Sequence, residues 1–153
     1  MFYPHYAAIK QQLNTIKSLK NIAWYTEGAT VHTTPAAYIE LHNIRSGNVA
    51  QAGQQADLKV SVHLITTVLT KADGDIDDEM LERHSVIDCE IYDQLQGFGD
   101  CNLFDNLECT AYSNRPEHGA IHTVMLFTSE AAQLRNDTGA YADIEFPAFS
   151  IGK

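Results

Sequence analysis

The sequence predicts an α+β fold in which two α-helices cover one face of a mainly antiparallel β-sheet. Two segments repeat apolar residues at spacings of three and four, which is the period of an amphipathic helix. Several other segments alternate apolar and polar residues, which is the period of a half-buried strand. In chain order the predicted elements are helix, strand, strand, long loop, strand, helix, strand and strand, an order typical of the α+β class.

Length and composition are those of a globular protein with a sizeable core. The chain has 153 residues, of which 44% are hydrophobic and 20% are charged. A chain of this length is expected to fold as one domain, 1–153, without help from metals or disulfides. The end of the chain has weak periodicity, so 131–153 is expected to form an extended arm or coil.

The chain is acidic, with a formal net charge of −10 and only 10 Lys and Arg residues. A protein that grips nucleic acid needs clustered basic side chains, so that class of function is disfavoured. Acidity suits a protein that lets nucleic acid pass without holding it. The first ten residues lack the basic start and apolar core of a signal peptide, so we expect synthesis in the cytoplasm.

The N-terminal third predicts one helix and two strands. A helix is expected at 4–20, with Pro4 in its first turn. Strands are expected at 22–25 and 36–41. The apolar stripe of the helix is formed by Tyr6, Ile9, Leu13 and Ile16.

A polar loop and the clearest strand follow. Residues 42–55 are rich in Gly, Asn, Gln and Ser, and a loop of that length in a compact domain is often functional. Apolar and polar residues then alternate strictly over 56–64, which predicts a strand at 56–69 with one face on the core. The other face, which includes His63, is expected to meet water or a partner.

The acidic stretch 73–79 begins with alternating aspartates, as a calcium-binding loop does. Such a loop needs Gly at position six and Glu at position twelve, and this chain has aspartate and histidine there. Capping of a helix at 80–96 by Asp75 or Asp77 explains the same residues and is favoured, because acidic groups stabilise a helix N-terminus. Weak binding of calcium at high concentration stays open. The stripe of this helix is formed by Ile76, Met80, His84, Ile87, Ile91 and Leu95.

The last predicted elements are two strands at 107–114 and 119–128. The residues between them, 115–119, contain the Pro and Gly of a turn. The two strands are therefore expected to form a hairpin.

Histidines and cysteines are the candidate ligands and nucleophiles. The seven histidines form none of the spacings typical of zinc sites, and a solvent-facing position is the favoured interpretation of His63 and His122, which could meet across the sheet. Cys89 and Cys109 are expected to be buried free thiols. Cys101 follows a helix C-terminus, the wrong end of the helix dipole for an activated thiolate. No catalytic residue, cofactor or metal ligand is therefore predicted.

The arrangement resembles the tail-terminator and tail-completion proteins of long-tailed bacteriophages. The resemblance spans about residues 5–130 and rests on the order and pattern of the elements. The segments that carry it are the helix YAAIKQQLNTIKSL, the strands AAYIEL and ADLKVSVHLITTVL around the loop NIRSGNVAQAGQQ, the helix DDEMLERHSVIDCEIYDQLQGFG, and the strands LECTAYSN and GAIHTVMLFT.

The resemblance implies a non-enzymatic protein of the phage or prophage virion, located in its tail or neck. It implies a ring of identical subunits, such as a hexamer, at the end of the tail tube. The partners would be the tail tube and the head-side connector, and DNA would pass through the ring without specific binding. The loop 42–55 would lie at a subunit contact or on the channel wall. Its candidate residues are Asn43, Arg45, Asn48, Gln51, Gln54 and Gln55.

Two other classes of function stay open. A pocket between the helices and the sheet would make the chain a small-molecule-binding module. An enzyme that uses Cys101 or the pair His63 and His122 is the less favoured alternative. The aromatic side chains that either anchor contacts with a partner or fill the core are Trp24, Tyr25, Tyr38 and Tyr112.

Overall fold

A computed structural model describes residues 2–27, 33–42, 57–68, 74–100 and 102–130. The order of its elements confirms the predicted α+β class, since two helices and five strands follow one another as expected. The elements are α1 (Tyr3–Leu13), β1 (Asn21–Trp24), β2 (Ala36–His42), β3 (Asp57–Thr67), α2 (Asp78–Leu95), β4 (Glu108–Asn114) and β5 (Ala120–Glu130).

The five strands form one sheet in the order β1-β2-β3-β5-β4. β1 runs parallel to β2, and the other neighbours are antiparallel. The two longest strands lie side by side near the centre, because β3 pairs with β5 along its whole length. Within the described part of the chain, β1 and β4 are the two edges of the sheet, so both carry backbone groups that no neighbouring strand pairs.

The hydrophobic core lies between one face of the sheet and the two helices. The alternation of β3 places Val60, Val62 and Leu64 in this core, as the sequence predicts. The helices also contact each other, since the side-chain nitrogen of Gln12 donates to the backbone carbonyl of Gln94 at 2.9 Å. Buried apolar side chains of the core include Ile9, Leu13, Ile39, Leu58, Ile87, Ile91, Leu95, Phe104, Leu107, Met125 and Phe127.

The first helix is shorter than the predicted span of 4–20. It ends at Leu13, and turns follow, in which the Thr15 hydroxyl donates to the Gln12 carbonyl and the Ile16 amide to the Leu13 carbonyl. Thr and Asn favour such local bonds over a continued helix. The predicted apolar stripe still reaches the core, because the tighter turns bring Ile16 into a buried position.

The second helix begins at Asp78, two residues before the predicted start, and is capped by one of the two predicted aspartates. Asp77 is its N-cap, and the Asp77 carboxylate accepts a bond from the Glu79 amide at 3.3 Å. Asp78 and Glu79 follow in the first turn, where they complement the positive end of the helix dipole. Gly97 lies just beyond the helix end with a φ of +83°, a conformation that glycine adopts without strain.

Replacement of Asp77 by alanine is expected to lower the free energy of unfolding by about 0.5–1 kcal/mol, because the hydrogen bond of the cap is lost. The effect is at the low end for a cap because this bond is long. Urea unfolding of the purified protein measures this change. Glu82→Ala, at an exposed position of the same helix, is the matched control and is expected to stay within about 0.5 kcal/mol of the original. Equal losses in both variants would contradict the capping role.

Candidate functional site

The loop residues predicted to mediate assembly lie outside the described residues. This applies to all six, Asn43, Arg45, Asn48, Gln51, Gln54 and Gln55. Asp73, Cys101 and the expected arm 131–153 also lie outside them. The described residues contribute two buried polar clusters, one on each face of the sheet, and two exposed edges.

The helix-side cluster consists of His84 and Asp88 on α2, Thr66 on β3, Thr123 on β5 and Tyr112 on β4. The His84 ring contacts the Thr66 hydroxyl through Nδ1 and the Thr123 hydroxyl through Nε2, each at 2.8 Å. The Asp88 carboxylate accepts from the Thr123 hydroxyl at 2.9 Å and from the Tyr112 hydroxyl at 2.6 Å. The cluster joins α2 to three strands at the margin of the apolar core.

A neutral His84 satisfies all of these hydrogen bonds. The hydroxyl of Thr123 donates to Asp88, so its oxygen accepts from Nε2 of His84. In the neutral ring Nδ1 carries no hydrogen, and it accepts from the hydroxyl of Thr66. Burial and then the charge on His122 lower the pKa of His84 to about 4, which favours the same neutral form. Burial raises the pKa of Asp88, while the bonds from Tyr112 and Thr123 oppose this shift.

A β-bulge brings Tyr112 to this cluster. Cys109 pairs with Phe127 and Tyr112 pairs with Met125, so the pairing register shifts by one residue between Cys109 and Ala111. Without the extra residue, side chains three positions apart on a strand would point to opposite faces of the sheet. The bulge therefore places both Cys109 and Tyr112 on the side of the helices.

Replacement of Tyr112 by phenylalanine is expected to lower the free energy of unfolding by about 1–2 kcal/mol, because a buried carboxylate loses a donor. Burial raises the pKa of Tyr112, and the bond to Asp88 raises it further, to about 12. Chemical unfolding monitored by circular dichroism measures the loss. Tyr92→Phe, at an exposed tyrosine of α2, is the control, and an equally large effect there would contradict the assigned bond.

The open-face cluster is a chain of hydrogen bonds on the side of the sheet that faces away from the helices. Nδ1 of His63 lies 2.9 Å from Nε2 of His122, so the two predicted strand histidines do meet. Nε2 of His63 lies 2.7 Å from a Glu40 oxygen, and Nδ1 of His122 lies 3.0 Å from a Glu117 oxygen. The Tyr25 ring stacks on His63 with 3.7 Å between ring centroids.

The expectation that these two histidines face solvent is wrong. His63 is 0% exposed and His122 is 3% exposed. The period of two in β3 correctly places His63 opposite the core, but it carries no information on whether that face is covered. The aromatic ring of Tyr25 and the two glutamates surround the pair, and these contacts join residues far apart in the chain.

The open-face cluster does not form a metal site in the structure. The inner nitrogens of the two rings face each other directly, and the two carboxylates bind the outer nitrogens. Across the described ranges, no group of three or more His, Cys, Asp or Glu side chains is arranged to hold a metal ion.

The cysteines differ in part from the predicted buried thiols. Cys89 is exposed on α2, because it lies beside the apolar stripe of the helix and not within it. Cys109 is half-buried on β4, and burial raises the pKa of its thiol. A raised pKa disfavours the thiolate, the reactive form of a cysteine.

An aromatic cluster marks the β1 edge of the sheet. Trp24 contacts the rings of Phe2 and Tyr6, with centroid distances of 4.9 Å and 5.5 Å. Trp24 is 42% exposed, and Tyr112 on the opposite edge is 56% exposed. Tyr25 and Tyr38 are half-buried on the open face. Of the four aromatic residues singled out in the sequence, the two on the edge strands are thus the most accessible.

The described residues define an α+β protein with a five-stranded sheet, two helices on one face and the buried open-face cluster on the other. Neither of its described helices is long and apolar enough to cross a membrane. No protein-family model matches the chain, and no curated protein matches it.

The fold is similar to that of a chain in a solved structure described as "Virion of native gene transfer agent (GTA) particle". The TM-score is 0.54 and the sequence identity is 14%. The alignment covers 82% of this chain and 92% of that chain. At this identity the similarity concerns the fold.

Proposed function

We propose that this protein is a structural component of a bacteriophage or prophage virion. In this proposal it assembles as a ring at the end of the tail tube, in a tail-terminator or head-tail joining role, and it performs no catalysis. The single observation that carries the proposal is the similarity of fold to a chain of a gene transfer agent virion, which extends over nearly the whole of that chain. The resemblance of the element order to phage tail terminators supports the same role.

The geometry of the sheet supports assembly through its edges. β1 has four residues and carries the exposed Trp24. β4 is exposed along most of its length and carries the exposed Tyr112. Two different exposed edges suit a head-to-tail contact between identical subunits, and such contacts generate a ring when the rotation between subunits closes.

The long polar loop and the charge of the chain fit a ring through which DNA passes. We propose that the loop 42–55, with Arg45 and its polar neighbours, lies at the subunit contact or on the channel wall. A net charge of −10 per subunit would repel DNA in the channel, so that DNA passes without being held. The proposed partners are therefore further copies of the chain, the tail tube and the head-side connector.

Light scattering on the purified protein across a concentration series tests this function. Six copies of the 17.0 kDa chain would give a particle of about 102 kDa. A mass that stays at one subunit over the whole series, together with no binding to tail tubes, would contradict the proposal. That result would favour the small-molecule-binding alternative and would make a ligand screen by thermal shift the next experiment.

A further inference from the structure

The hydrogen-bond chain on the open face allows its protons to be counted. It runs from Glu40 to His63, from His63 to His122 and from His122 to Glu117, with all three contacts at 2.7–3.0 Å. At neutral pH a glutamate carboxylate is ionised and can only accept hydrogen bonds. Each outer ring nitrogen, Nε2 of His63 and Nδ1 of His122, must therefore carry a hydrogen.

The central contact requires one more hydrogen. The inner nitrogens, Nδ1 of His63 and Nε2 of His122, lie 2.9 Å apart, and one of them must donate to the other. Three hydrogens on four ring nitrogens are one more than two neutral imidazoles carry. The pair then holds a single positive charge between two carboxylates, a favourable arrangement for a buried charge.

A fourth hydrogen would break the arrangement. Both inner nitrogens would then be donors, and they would face each other at 2.9 Å without an acceptor. Two positive rings, both almost fully buried, would also repel each other. The central contact must open before the pair can accept this proton.

We propose that the His63–His122 pair holds one shared extra proton. A second extra proton separates the two rings, so that acid breaks the open-face cluster of hydrogen bonds. The stacked ring of Tyr25 would lose its contact with His63 in the opened state. This inference concerns the folded chain and does not depend on the proposed ring. It identifies a pH-sensitive switch that the sequence analysis does not predict.

The surroundings of the pair act on its protons in opposite directions, and most of them oppose further protonation. The titratable and charged groups that act on the pair or on its partners are Tyr25 and Glu27 after β1, Glu40 and His42 on β2, His84 on α2, and Arg115 and Glu117 in the turn before β5. Burial is the largest cause that lowers the pKa of His63. The bond to Glu40 raises that pKa, and the charges on His122 and Arg115 lower it.

Nuclear magnetic resonance of the full chain with labelled histidine rings tests the proposal. Ring nitrogen and carbon shifts would be followed from about pH 8 to about pH 4, a range that spans the ordinary histidine pKa. We expect two steps separated by more than about one pH unit, and both rings to move together in each step because they share the proton. The ring-current effect of Tyr25 on His63 should disappear in the lower step.

Two variants sharpen the experiment. Glu117→Gln keeps a side chain of the same shape but removes one negative charge, so the proton affinity in the first step is expected to fall roughly tenfold. His118→Gln, at an exposed position of the same turn, should leave both steps unchanged. The proposal is overturned if His63 and His122 titrate as independent rings with one ordinary midpoint. It is also overturned if both rings remain neutral at every pH at which the protein stays folded.

Discussion

Replacement of Phe127 by alanine is expected to lower the free energy of unfolding by about 3–5 kcal/mol. Phe127 is fully buried on β5 and belongs to the cluster between the sheet and the helices. It lies opposite Val60 on β3 and Cys109 on β4, so its removal would leave a cavity beneath three adjacent strands. The loss combines the lost burial of the ring with the cost of that cavity. Denaturant unfolding measures it.

Val86→Ala is the control for this substitution. Val86 is 55% exposed on α2, so its truncation leaves no internal cavity. Its effect is expected to stay within about 0.5 kcal/mol. If Phe127→Ala were as mild as Val86→Ala, the assignment of this sheet face to the core would be wrong.

Acidification is expected to destabilise the protein through His84. The pKa of His84 is about 4 in the folded chain, and its ordinary value is 6.5. Between these two pH values the unfolded chain binds more protons than the folded chain, so the free energy of unfolding falls as the pH falls. The contribution of neutral His84 to the free energy of unfolding is fully present above pH 6.5. It falls by an amount on the order of 3 kcal/mol, and this loss is complete below pH 4.

The variant His84→Gln isolates this contribution. Glutamine retains one donor and one acceptor for the two threonines but cannot be protonated. Burial raises the pKa of Asp88, and this shift acts in the opposite direction, because it adds stability as the pH falls. The relevant quantity is therefore the difference between variants. The original protein should lose about 3 kcal/mol more than His84→Gln over this range.

His118→Gln controls for the loss of any one histidine. It should retain the full pH dependence of the original protein, because His118 is exposed. Thermal or urea unfolding at several pH values provides the measurement. Parallel pH profiles for His84→Gln and the original protein would show that His84 does not titrate as the structure indicates.

The elements with strong periodicity could be predicted from the sequence. The alternation in β3 predicts its core face, and the acidic residues near the start of α2 predict a cap at Asp75 or Asp77, of which the structure shows Asp77. The predicted helix at 4–20 extends beyond the observed end of α1 because Ile16 continues the apolar spacing. In the structure, turns and not a helix place Ile16 in the core. Apolar spacing alone does not separate a last helical turn from a tighter turn.

The two polar clusters could be predicted only in fragments. His84 stands in the apolar stripe of α2, and Asp88 follows it by four residues on the same side of the helix, which was the available signal. Tyr112 joins them through a bulge, and no residue pattern in β4 shows where the register shifts. The burial of His63 and His122 depends on contacts between distant segments, which periodicity does not encode.

Electron microscopy of the purified full-length chain in negative stain tests the central proposal most directly. We expect closed rings of about six subunits with a central hole, because a head-to-tail contact between two different sheet edges must close to stop growth. Open filaments of the same subunits would contradict closure. Single small particles at every concentration, with no attachment to the ends of tail tubes, would contradict the ring itself.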